Sequence, residues 1–256
     1  MTDLGPYSLD TIVVGDCLDV MRQMPDGCVD LVVTSPPYNN HANKRTAGGK
    51  KPAWRPSLRS IEYGQYADDM PEGRYQDWQK AVVTEMLRVT KPAGTVAYNH
   101  KNRIVDWRVV TPWQWLLDCA PVRQVVVWDR GSSPQVSPVR FMPSTERVYL
   151  LGYGRPYFNA AHLSDKEVWY ISPCRHEGIP AFPEELAERL VSALTGPGAV
   201  VADFYSGSGT TAVAAKKLGR HYFGCDISEE YVKLARERVA KIDGVQMPLS
   251  YTEMED

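Results

Sequence analysis

Several features are missing from this chain, and each absence removes a class of protein. No apolar run approaches the roughly 18 to 20 residues needed to cross a bilayer. The opening MTDLGPYSLD has neither a basic start nor an apolar stretch, so no secretory leader is expected and the protein reads as intracellular. Five cysteines (Cys17, Cys28, Cys119, Cys174, Cys225) are odd in number, far apart and without a C-x-x-C pair. Neither a disulfide framework nor a zinc site is therefore expected, and the thiols read as reduced. The five histidines show no metal-ligand spacing, and no metal is expected. Internal repeats and low-complexity tracts are absent. A net charge of -2 excludes a protein that is basic overall, so any affinity for nucleic acid must come from a local patch.

What is present alternates between strand and helix patterns. Thr11 to Val14 is a short β-rich run before the helical spacing of Leu18, Met21 and Met24, and Val29 to Val33 is a continuous apolar run of the kind a fully buried parallel strand shows. A helix is expected from about Tyr75 to Val89, with Pro92-Ala93-Gly94 turning it into a strand from Thr95 to Tyr98. A helix at Trp113 to Cys119, strands at Gln124 to Trp128 and Arg147 to Leu151, and a helix from Pro183 to Leu194 follow. The chain closes with a strand from Val200 to Phe204, a helix from Thr210 to Leu218, a strand from Tyr222 to Asp226 and a helix from Glu229 to about Ile242. This alternation predicts an α/β sheet.

Two turns carry chemistry. In VVADFYSGSGTTAVAAKKLGRHYFGCD (200–226) a strand meets a G-S-G turn, a helix and a second strand that ends in an acid. Glycines let the backbone approach a ligand, the helix start offers free N–H groups, and an acid about 20 residues on suits ribose hydroxyls, so a nucleoside-bearing cofactor is implied. The motif alone also matches dinucleotide sites. Asp203, directly before the turn, suits a cofactor with a cationic amino-acid end, and S-adenosylmethionine meets that description. Only 30 residues follow Asp226, so the other strands must come from earlier in the chain, which is a permuted order. The other turn, TSPPYN (34–39), ends the buried strand with two prolines that lack N–H groups. Ser35 and nearby carbonyls then form a rigid cluster of acceptors beside the flat ring of Tyr38, which is what an exocyclic amino group on a heterocycle requires. Directly after it, residues 40–75 lose all periodicity. Lys44, Arg45, Lys50, Lys51, Arg55 and Arg59 fall there with no acid between His41 and Ile61, the pattern of a phosphate-binding arm, with Trp54 available to stack.

GDCLDVM (15–21), TSPPYN, HEGIPAFPEEL (176–186), DFYSGSGTT (203–211) and Cys225-Asp226 together resemble, in this order, the amino-methylating DNA methyltransferases of the permuted β group. The resemblance implies a three-layer, Rossmann-like α/β domain over residues 1–256, with a seven-stranded, mostly parallel sheet and one antiparallel strand. It implies catalysis by Ser35, Pro36, Pro37 and Tyr38. S-adenosylmethionine would be held by Asp16, Cys17, Phe182, Asp203, Phe204, Ser206, Gly207, Gly209, Thr210 and Asp226. The substrate would be double-stranded DNA whose target base is flipped out. Residues 152–175 are the segment available for target recognition, and a homodimer and a cognate restriction endonuclease are partners such enzymes allow. The setting would be bacterial, archaeal or phage-encoded, cytoplasmic and at the nucleoid. In that family Ser at position 35 favours the N4 amino group of cytosine, while Asn39 after the tyrosine keeps adenine N6 open. A nicotinamide oxidoreductase would leave TSPPYN unexplained. A cytosine-C5 enzyme would have its cofactor turn before its Pro-Cys pair, the reverse of the order of Pro173-Cys174 and the G-S-G turn.

Overall fold

A computed structural model describes residues 3–39, 70–105, 107–133, 138–176 and 179–242. Its elements are β1 (Thr11–Val14), α1 (Cys17–Arg22), β2 (Val29–Thr34), α2 (Glu72–Val89), β3 (Thr90–His100), β4 (Arg103–Val105), β5 (Arg108–Val110) and α3 (Trp113–Leu116). They continue with β6 (Val122–Asp129), β7 (Thr145–Leu151), β8 (Val168–Tyr170), β9 (Cys174–His176), β10 (Ile179–Ala181), α4 (Glu184–Leu194), β11 (Val200–Asp203), α5 (Thr210–Lys217), β12 (His221–Asp226) and α6 (Glu229–Ala240).

The apolar runs behave as their periodicity demands. Strands β2 and β11 are buried on both faces and lie side by side at the centre of a sheet ordered β1-β12-β11-β2-β3-β7-β6-β8. All pairings are parallel except those of β7, which runs antiparallel to both β3 and β6. The sheet has eight strands where seven were expected, because the three-residue β8 adds a parallel edge beside β6. Val20 and Met21 of α1, Val82 and Met86 of α2, and Trp115 and Leu116 of α3 pack on one face with Val32, Val96 and Tyr98. On the other face α4, α5 and α6 cover Leu31, Val33, Val201 and Ile12.

Departures from the sequence reading have local causes. The turn expected at Pro92-Ala93-Gly94 is taken up inside β3 as an irregularity: Val29 pairs with Thr90 and Leu31 already with Thr95. Gly94 is needed there, since a Cβ would sit 2.6 Å from the Asp30 carbonyl oxygen. Helix α2 starts at Glu72, so the irregular segment expected over 40–75 is shorter at its end, and residues 40–69, with all six basic residues of the arm, lie outside the described residues. Helix α3 stops at Leu116, three residues before Cys119, and the β4–β5 and β9–β10 hairpins had no clear sequence signal.

The connection from β2 runs through α2 on one face to β3, and that from β11 through α5 on the opposite face to β12. The chain thus leaves the two central strands in opposite directions, which opens a crevice at their C-terminal ends. TSPPYN and the glycine turn meet there.

Candidate active site

One buried contact fixes the crevice. Thr34, the last residue of β2, donates through Oγ1 to Asp203 Oδ1 at 2.7 Å, although 169 residues separate them. Thr211 at the start of α5 donates to Asp203 Oδ2 (2.8 Å), and the Tyr205 N–H to Oδ1 (3.0 Å). Asp203 is 2% exposed, and burial raises its pKa to about 6 against the opposing pull of these donors. The strand that carries the prolines is therefore tied to the strand that carries the glycine turn.

Beyond Thr34 the backbone is braced from behind. The Tyr75 hydroxyl of α2 lies 2.8 Å from the Pro37 carbonyl and 2.7 Å from Nε2 of His100, whose Nδ1 is 2.7 Å from the Lys101 carbonyl. His100 is fully buried, and burial lowers its pKa to about 3, so it stands as a neutral ring. Its ring centroid is 4.6 Å from that of Tyr38, and Lys101 Nζ is 5.4 Å from the same ring. Arg103 stacks on Tyr75 and pairs with Glu72 at 2.7 Å. On the other side, Tyr38 Oη lies 2.6 Å from Ser35 Oγ and 3.0 Å from Glu146 Oε2. Asn99 Nδ2 reaches Tyr38 Oη (2.7 Å) and Glu146 Oε2 (3.0 Å), and Arg130 pairs with Glu146 Oε1 at 3.1 Å. Burial, then the nearby carboxylate, holds the Tyr38 phenol well above its usual range, so it stays a neutral donor.

The glycine turn is equally determined. Asp226, at the end of β12, accepts from the Gly207 N–H (2.9 Å) and the Ser228 N–H (3.0 Å), with burial raising its pKa. Gly207 and Gly209 have φ of 48° and 79°, in the left-handed region that glycine adopts without penalty. A Cβ on Gly209 would stand 2.8 Å from the Ala235 Cβ of α6, so the turn presses onto that helix, whereas Gly207 faces open space with its nearest neighbour at 3.8 Å. Arg238 clamps the outside of the turn through Ser208 Oγ (2.9 Å) and through Glu184 (2.7 Å). Gly209→Ala is accordingly expected to lower stability by about 2–4 kcal/mol, from left-handed strain plus overpacking, and Tm by about 5–15 °C. Thermal unfolding checks this, and a Tm within 2 °C of wild type, well inside that ~5–15 °C shift, would contradict the packing described.

The model of the DNA methylase family N6_N4_Mtase matches residues 29–237, most of the chain. The chain belongs to this DNA methylase family. It is 27% identical over 268 residues to the Type II methyltransferase M.BglII of Bacillus subtilis, covering 89% of this chain and 68% of that protein. Its fold is similar to that of PvuII DNA methyltransferase (cytosine-N4-specific), with TM-score 0.68, 18% identity and coverage of 94% and 89% of the two chains. It is also similar to TTHA0409, a DNA modification methylase of Thermus thermophilus solved in complex with S-adenosyl-L-methionine, with TM-score 0.65, 24% identity and coverage of 90% and 93%.

The cofactor of this DNA methylase is S-adenosylmethionine, and the donor set of the crevice fits it. Ser206 Oγ is buried with no hydrogen-bond partner among the described residues, Gly207 leaves its outer side open, and two carboxylates, Asp203 and Asp226, flank the turn. That combination suits a ligand with a cationic end and ribose hydroxyls.

The remaining sequence candidates divide between a helix cap and the packed interior. Asp16 is the N-cap of α1, its Oδ1 accepting from the N–H groups of Leu18 (2.9 Å) and Asp19 (3.2 Å). Cys17 is buried with Sγ 3.5 Å from the Tyr205 hydroxyl, and Tyr205 in turn meets Trp78 edge-on. Phe204 is a core residue tilted against Phe223, and Phe182 packs half-buried against the α4 side of the core. Thr210 opens α5 and is buried. Burial raises all five thiols, Cys17 to about 12 and Cys119 to about 11, so none, Cys174 included, is poised as a thiolate nucleophile. Residues 154–162 run across the far end of the sheet, where Gly154 bonds the Pro92 carbonyl and Asn159 the Ala193 carbonyl. Tyr170, at the end of β8, pairs instead with Asp129 at the C-terminal end of β6, next to Arg130. Thr34, Tyr75, Asn99, His100, Arg130, Glu146 and Thr211 had no place in the sequence reading. The one signal for them was polar residues at the ends of otherwise apolar strand runs. Among the described residues no group of three or more His, Cys, Asp or Glu is arranged to hold a metal, and no helix is long and apolar enough to cross a membrane.

Proposed function

We propose that this DNA methylase transfers a methyl group to the exocyclic N4 amino group of a cytosine flipped out of double-stranded DNA. The observation that carries the reading is the Thr34–Asp203 bond, which seats an acceptor-rich, proline-stiffened strand end directly beside the glycine turn. When bound, S-adenosylmethionine supplies an electrophilic methyl on a sulfonium. Asp203 holds the cationic amino-acid end, Asp226 the ribose, and Ser206, Gly207 and the start of α5 line the wall between them. Asp16 and Cys17, beside Tyr205 and Trp78, border the adenine.

On the base side Tyr38 offers a ring face, braced by His100. Ser35 Oγ and the Pro36 carbonyl accept from the amino group. Those two bonds draw its nitrogen towards tetrahedral geometry and leave its lone pair aimed at the methyl. The amino proton leaves after transfer. Catalysis is positioning and electrostatics, with no covalent link to the protein. Serine at position 35 supports N4-cytosine, and the PvuII enzyme of similar fold is cytosine-N4-specific by name. Adenine N6 is the competing substrate, with Asn39 after the tyrosine in its favour. Lys44, Arg45, Lys50, Lys51, Arg55 and Arg59 of the basic arm contact phosphates, and the residues after β8, up to 175, serve target recognition. Trp107, 88% exposed at the tip of the β4–β5 hairpin, adds an aromatic edge to the DNA side.

The test is incubation with labelled S-adenosylmethionine and unmethylated genomic DNA, digestion to nucleosides and identification of the labelled nucleoside by mass. N4-methylcytosine is expected. N6-methyladenine would overturn the choice of base, and label found only in RNA or protein would overturn the DNA reading.

A further inference from the structure

The polar cluster behind Tyr38 can be accounted for proton by proton. The Glu146 carboxylate, paired with Arg130, only accepts, and it faces both Tyr38 Oη and Asn99 Nδ2 at 3.0 Å. Tyr38 has one proton. Once that proton goes to Glu146, the Tyr38 oxygen must accept from Asn99 Nδ2 at 2.7 Å and from Ser35 Oγ at 2.6 Å. Ser35 has thereby spent its single hydrogen inward, and what it shows to the crevice is lone pairs. Asn99 is set by the same carboxylate: both its N–H groups are used on Tyr38 and Glu146, and its buried Oδ1 is left without a partner among the described residues. Nothing else in the cluster breaks the symmetry between a serine that donates and a serine that accepts.

We infer that Glu146 is a positioning residue for methyl transfer: it fixes the direction of the chain Ser35→Tyr38→Glu146, so that Ser35 meets the target amino group as an acceptor. An amino group carries hydrogens outward, and a serine aiming its own hydrogen at them would repel the substrate in its reactive pose. This rests on the amino-group reading proposed above, and extends it to a residue that lies far from TSPPYN in the sequence and touches the reaction only through Tyr38.

Glu146→Gln tests it with little change of shape. Arg130 has donors only, so the new amide turns its oxygen to Arg130 and its NH2 to Tyr38. The Tyr38 proton then swings to Ser35, and the Ser35 hydrogen is driven outward. The expected result is a fall in kcat of about 10- to 100-fold, with KM for DNA and cofactor affinity within about twofold of wild type. Tyr38→Phe, which removes one atom and leaves the carboxylate in place, is expected to lower kcat by at least about tenfold. In that background Glu146→Gln is expected to change kcat by less than about twofold, because the path to Ser35 is gone. An unchanged kcat in either single variant would overturn the inference. So would an equal further loss in the Tyr38→Phe background, which would mark Glu146 as a structural support. Wild-type protein that labels no DNA amino group would instead overturn the parent reading, and that measurement is made first.

Discussion

Ser35→Ala is expected to lower kcat by about 100- to 1,000-fold while S-adenosylmethionine binds within about twofold of wild type. The separation follows from the geometry. The backbone of this strand end is held by groups other than the serine side chain: Thr34 by Asp203, and the Pro37 carbonyl by Tyr75. Removing Oγ leaves Tyr38 still bonded to Glu146 and Asn99, so no buried partner is orphaned and the fold has little reason to weaken. What disappears is the side-chain acceptor beside the stacking ring. Single-turnover methyl transfer, together with calorimetric titration of the cofactor, distinguishes the outcomes. Undiminished transfer would remove Ser35 from the chemistry, and a loss matched by an equal loss of cofactor affinity would make it a packing residue.

The two halves of the site differed in how openly the sequence announced them. TSPPYN was legible because Pro36 and Pro37 lack N–H groups: a buried strand must stop donating there, and the hydroxyl and ring beside the stop stand out. The glycine turn was legible because left-handed φ values at Gly207 and Gly209 and the close approach to Ala235 leave glycine few substitutes. Asn99 and Glu146 were not legible. In the sequence they read as ordinary strand-end polar residues, and only the antiparallel pairing of β3 with β7, a contact between segments some 50 residues apart, brings both beside Ser35. Asp16 shows the reverse case: its spacing before Leu18 fitted a helix cap and a ligand contact equally, and the cap is what the bond lengths show. The α3 helix was read too long because Trp113, Trp115 and Leu116 supply an apolar face while nothing marks its end, and the chain turns at Leu117.

The same distribution of buried charge makes cofactor affinity sensitive to pH through Asp203. Its folded pKa, about 6, lies above the 3.8 of an unperturbed aspartate, with burial as the leading cause. Below 3.8 the group is protonated in folded and unfolded chains alike, and its contribution to stability is fully present. As pH rises through 6 the folded state must ionise a buried group, and the contribution is lost, by about 3 kcal/mol over roughly two units. Asparagine can take over the local bonds: its oxygen accepts from Thr34 and the Tyr205 N–H, and its NH2 donates to Thr211 Oγ1, which lies 3.2 Å from the Val33 carbonyl it can then serve. Asp203→Asn is therefore expected to match the wild-type Tm near pH 4 and to exceed it above pH 7. Binding runs the other way. If Asp203 holds the cationic end of S-adenosylmethionine, wild-type affinity falls about tenfold for each pH unit below 6, and the asparagine variant binds about 10- to 100-fold more weakly at pH 7.5, with little dependence on pH. Calorimetric titration across pH 5 to 8, paired with thermal unfolding at the same values, reads both effects. Equal affinity in the two proteins at pH 7.5 would confine Asp203 to tying β2, β11 and α5 together, and would pass the cationic end of the cofactor to another group in the crevice.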